Sequence, residues 1–134
     1  MEILIAGSEK LGLTINSEQL EQFNIYYREL TTWNRRMNLT TITDYEEVQL
    51  KHFLDSLTIT LALGQHQVGT SLGIIDVGTG AGLPGLPLKI MLPETRLVLL
   101  EATAKKATFL HRLTDELGMV DVEIITGRAE EIAH

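Results

Sequence analysis

The chain has 134 residues, 44% of them hydrophobic and 22% charged, with a net charge of −7 and no cysteine. That composition suits one globular domain, or one with a small appendage, and excludes disorder, disulfides, thiolate metal sites and a cysteine nucleophile. The negative balance also argues against holding nucleic acid by bulk electrostatics, which needs clustered Lys and Arg. Apolar runs such as Leu97 to Leu100 are far too short to cross a bilayer, and Met1-Glu2 lacks the basic start of a signal peptide. A cytoplasmic protein with no membrane partner is expected.

The spacing divides the chain near residue 70, into an N-terminal helical segment (1–68) and an α/β segment (69–134). A short helix is predicted between Ile3 and Leu11, ended by Gly12. Residues 17 to 38 give the clearest helix, with Ser17 as N-cap and Leu20, Phe23, Tyr27, Leu30, Asn34 and Met37 on one face. A second helix is predicted from Asp44 to about Leu63, stopped by Gly64, with Val48, Phe53, Leu57 and Leu61 inward. The order then becomes strand (72–77), glycine loop, helix (85–91), strand (96–100), helix (105–117) and strand (122–125). Such alternation implies βαβ units with parallel pairing. A further helix begins at Arg128 to Ile132, and the sequence ends at His134. The fold class expected is α/β: a Rossmann-like sheet, incomplete, under N-terminal helices.

Asp76-Val77-Gly78-Thr79-Gly80-Ala81-Gly82 follows the first strand, at the carboxyl end where open α/β sheets hold ligands. Glycines there permit positive φ and close backbone approach. Gly80-Ala81-Gly82-Leu83-Pro84-Gly85 also matches the dinucleotide pattern G-x-G-x-x-G, with Glu101 about 20 residues on as a ribose-binding acid. The pattern alone therefore does not separate NAD from S-adenosylmethionine. Two physical points favour the latter. A pyrophosphate needs free N–H groups at the helix N-terminus, and Pro84 and Pro87 remove two of them. Asp76 beside the loop repels a diphosphate and suits a ligand carrying an ammonium and a sulfonium, directly or through water. Glu101 can accept from both ribose hydroxyls.

At these residues the sequence resembles the RsmG (GidB) family, which methylates N7 of a guanosine in 16S ribosomal RNA. The matching stretches are Trp33-Asn34, Asn38-Leu39-Thr40, Lys51 through Leu57, Ile75 through Leu88, Lys105 through Leu110, and Gly127 through Glu131. The resemblance implies an S-adenosylmethionine-dependent methyltransferase. Gly78, Gly80, Gly82, Leu83 and Glu101 would hold the cofactor, with Ala129 and Glu130 near the adenine and Arg128 toward a carboxylate or the RNA. It also implies 16S ribosomal RNA, in the 30S subunit or a precursor, as partner. Family members continue beyond the third strand, so an incomplete chain is expected, and with it doubt about independent catalysis.

Other residues carry weaker signals. His52, beside Lys51, reads either as a contact to cofactor or RNA, or as a helix histidine satisfied by Asp55. A His52-Asp55-Ser56 hydrolase triad is a poor reading, since all three lie within five residues and a triad is assembled from distant segments. Arg35, Arg36 and Asn38 form a basic corner that can touch phosphate or simply complement a helix C-terminus. Trp33, Tyr26 and Tyr27 read as core rather than base-stacking residues. His66, His111 and His134 have no partner at ligand spacing, so no metal is expected.

Overall fold

The computed structural model describes residues 1–63 and 73–127. Helices α1 (Glu2–Lys10) and α2 (Ser17–Asn34) come first. A broken helical run follows: α3 (Tyr45–Glu47), a π-helical segment (Val48–Leu54), α4 (Asp55–Leu57) and α5 (Thr60–Leu63). Then come β1 (Gly73–Val77), α6 (Gly85–Met91), β2 (Arg96–Glu101), α7 (Ala104–Glu116) and β3 (Val122–Thr126). No described helix is long and apolar enough to cross a membrane.

The three strands pair in parallel in the order β1-β2-β3, with Ile75 opposite Val98 and Leu99 opposite Ile124. The predicted α/β architecture is therefore present. Alternation along the strands sends Leu97 and Leu99 into the core with Leu86, Ile90, Phe109, Leu110 and Leu113. On the other face Ile75 and Val77 remain 67% and 61% exposed. Helix α2 lies across α6 and α7, so the N-terminal helices and the sheet share one apolar cluster. Phe23 and Tyr26 of α2 meet Phe53 with ring centroids 5.1 and 4.9 Å apart, and Trp33 meets Phe109 edge-on at 5.9 Å. The aromatic residues of α2 thus act as core, as expected.

Three expectations need correction. The N-cap of α2 is Asn16, not Ser17: Asn16 Oδ1 accepts from Gln19 N and Gln19 Oε1 from Asn16 N, a reciprocal pair that Ser17 cannot form with Leu20. The helix ends at Asn34 rather than residue 38, because Asn34 Oδ1 accepts from the amides of Leu39 and Thr40 and turns the chain. That is why a polar residue stands on the inward face.

The run after Asp44 is not one α-helix. Asp44 caps it, accepting from Glu47 N. Val48 and Phe53, both buried, lie five residues apart, the repeat of a π turn rather than an α turn. The widened coil and the turn at Thr58-Ile59 shift the phase, so Leu57 is buried but Leu61, expected inward, is 66% exposed. The expected boundary at 68/69, Leu72, the stop at Gly64 and the helix from Arg128 lie outside the described residues.

Candidate functional site

The glycine loop leaves β1 at Val77 and enters α6 at Gly85. Gly78, Gly80 and Gly82 have φ of +66°, +57° and +89°, backbone that L side chains rarely adopt. Gly82 is confined twice over, since a Cβ there would lie 2.5 Å from Leu86 Cδ1 and 2.8 Å from the Tyr26 hydroxyl.

The loop's polar groups are bonded inward. The amides of Gly78 and Thr79 donate to Leu100 O at 2.9 and 3.2 Å, tying the loop to β2. Gly80 N donates to Glu101 Oε1 at 2.9 Å, and Thr103 N to Glu101 Oε2 at 2.8 Å. Asp76 Oδ2 accepts from Thr79 Oγ1 at 2.7 Å and from Gly85 N, the first amide of α6, at 3.0 Å. Leu86 N donates to Gly82 O at 2.8 Å, and Pro87 has no N–H. The first turn of α6 is therefore spent, and a buried carboxylate stands where a diphosphate would need donors. Burial raises the Asp76 pKa, while its bonds to Thr79 and Gly85 pull it back.

Tyr26 completes the frame. Its hydroxyl, fully buried, donates to Ala81 O at 2.6 Å across 55 residues of sequence. Burial, and then the Asp76 charge, push its pKa well up, which keeps the phenol a donor. Sequence reasoning placed Tyr26 in the core and missed this contact. The available signal was general: a buried tyrosine hydroxyl needs a partner.

The cofactor candidates Asp76, Gly78, Gly80, Gly82, Leu83 and Glu101 are thus brought together at the carboxyl ends of β1 and β2. Asp76 and Glu101 are both buried, and each spends oxygens on the loop itself. A carboxylate oxygen has two lone pairs, so Glu101 keeps acceptor capacity. Arg128, Ala129 and Glu130 lie outside the described residues.

His52 belongs to the π segment. Its Nε2 bonds Thr40 Oγ1 at 2.7 Å, not Asp55, and that hydroxyl also accepts from Ile42 N. Burial lowers the His52 pKa, partly offset by its bond to backbone at Lys51 and by the Asp55 charge. Lys51, His52 and Asp55 face Leu83 and Pro84 across a cavity of about 330 Å³. Arg35, Arg36 and Asn38 are exposed, and Arg36 lines a separate depression with Trp33 and Arg112, so this corner does not join the His52 cavity. Another concavity, about 530 Å³, lies at the opposite ends of the strands among Gly73, Arg96 and Asp121, away from the glycine loop.

The profile of the family described as GidB, rRNA small subunit methyltransferase G, matches residues 19–134. The chain belongs to this family. Among curated relatives, the ribosomal RNA small subunit methyltransferase G of Dehalococcoides mccartyi is 52% identical over 133 residues, covering 99% of this chain and 55% of that protein. Those of Caldanaerobacter subterraneus and Roseiflexus sp. are 48% and 45% identical, each covering 98% of this chain. The chain spans about half the length of these relatives. Membership agrees with the resemblance carried by the glycine loop, and the three-stranded parallel sheet fits an incomplete Rossmann-like methyltransferase fold.

Proposed function

We propose that this chain serves a cytoplasmic, S-adenosylmethionine-dependent methyltransferase that modifies N7 of a guanosine in 16S ribosomal RNA. The observation that carries the choice of cofactor is Asp76 bonded to the first amide of α6, behind three glycines at positive φ. That donor set rejects a diphosphate and tolerates a cation, so the residues fit S-adenosylmethionine. The names of the relatives support the RNA substrate.

In this reading Gly78, Gly80, Gly82 and Leu83 pass close along the cofactor, Glu101 accepts from ribose hydroxyls, and Asp76 acts by its charge and by holding the loop. Ala129 and Glu130 complete the adenine side. His52, Arg35, Arg36, Asn38 and Arg128 are the candidates for RNA contact. The bound cofactor supplies an electrophilic methyl group. Guanine N7 carries an exposed lone pair, so the chain needs no general base. Its residues work by alignment and by excluding water. A neighbouring carboxylate stabilises positive charge developing on the purine.

The test incubates the chain with methyl-labelled S-adenosylmethionine and 30S subunits, then digests the RNA. Label in 7-methylguanosine is the expected result. The partial span of the relatives favours a second reading, a cofactor-binding portion without turnover. It predicts binding and no transfer. Absence of cofactor binding contradicts both.

A further inference from the structure

We propose that the cavity between the π segment and Leu83-Pro84 receives the target guanine, and that Asp55 selects it by accepting from its Watson–Crick edge. This rests on the guanosine-N7 reading above and adds the residue that discriminates the base.

Position is the first ground. One wall of the cavity is Lys51, His52 and Asp55; the other is Leu83 and Pro84, which follow Gly82 directly. A group seated there lies against the glycine loop. Ile59 joins Leu83 and Pro84 as apolar surface for a flat ring.

The second ground is the chemistry of the base. N7 lies on the Hoogsteen edge, so a guanine offering N7 must be gripped from the opposite side. That side presents two parallel donors, N1–H and the N2 amino group. An ionised carboxylate is the side chain that accepts two parallel N–H groups. Among the described residues Asp55 is the one carboxylate lining the cavity, and Lys51 one turn earlier pairs with Glu47 at 3.5 Å. Adenine offers an acceptor at N1, which faces the carboxylate with a second lone pair. Enzymes that act on an extruded base commonly read it along this edge.

The third ground is the local backbone. The π turn keeps Val48 and Phe53 in the core while Lys51, His52 and Asp55 line the cavity. Such turns occur often at functional sites. The His52 ring is tied to Thr40 and forms a fixed wall.

The experiment titrates GMP and AMP into the chain saturated with S-adenosylhomocysteine, following amide shifts by NMR, for the unmodified chain and for Asp55→Asn. Asp55 is exposed, so the variant is expected to fold. GMP should bind at least about tenfold more tightly than AMP, as a bidentate pair allows. Its shifts should centre on His52 and Asp55. Asp55→Asn should erase the preference and leave S-adenosylhomocysteine affinity unchanged. Equal binding of the two nucleotides, a preference that survives in the variant, or a variant that loses cofactor affinity would each overturn the proposal. An unmodified chain that binds no S-adenosylhomocysteine sinks the methyltransferase reading, and this proposal with it.

Discussion

The glycine loop and the π segment form opposite walls of one cavity and are built on contrary terms. The loop is held from three directions: by Tyr26 from α2, by Asp76 from its own strand and by Glu101 from the neighbouring one. Its amides point into the protein. The π segment buries Val48 and Phe53, ties His52 to Thr40 and Gln49 to the amide of Leu4, and leaves Lys51 exposed, as is Asp55 at the start of α4. One wall is preorganised, as a cofactor site requires; the other carries adaptable polar groups, as suits a substrate.

The contrast breaks most severely at Gly82. Alanine there combines a φ of +89° with contacts at 2.5 and 2.8 Å, so Gly82→Ala should cost roughly 2–5 kcal/mol in urea unfolding and abolish cofactor binding. Asp76→Ala strands the Gly85 amide and the Thr79 hydroxyl in the interior and should cost about 1–3 kcal/mol by the same measurement. The milder Asp76→Asn should weaken discrimination against NAD. Tyr26→Phe removes one donor from Ala81 O, at about 1–2 kcal/mol, and should weaken S-adenosylmethionine binding severalfold while circular dichroism stays unchanged.

On the opposite wall the effects shrink. Burial holds the His52 pKa below its usual 6.5, so the fold favours the neutral ring. Its contribution is complete above about pH 6.5 and is lost as pH falls toward the folded value, because the unfolded chain then takes up the proton first. Urea midpoints measured across that window should decline, and His52→Gln should flatten the decline. Lys51→Ala should change stability by less than about 0.5 kcal/mol, since its pair with Glu47 is half-exposed.

The same two regions divide what the sequence disclosed. The α/β alternation, the bounds of α6 and the gathering of Gly78, Gly80, Gly82 and Glu101 were legible, because period and glycine placement are local properties. The contacts that stiffen the loop were not, since Asp76 reaches Gly85 across nine residues and Tyr26 reaches Ala81 across 55. Pro84 and Pro87 point to a donor-poor helix start; that Asp76 takes up the first amide is a contact made only by the folded loop. The π segment was missed because an α-helical period was imposed on Val48, Phe53, Leu57 and Leu61. The five-residue step from Val48 to Phe53 was its only local mark.

The central claim concerns what the occupied start of α6 admits. Calorimetric titration of the chain with S-adenosylmethionine, and separately with NAD at the same concentrations, addresses it most directly. The account predicts saturable heat with S-adenosylmethionine and none with NAD. Tighter binding of NAD, or of any free diphosphate, would contradict it.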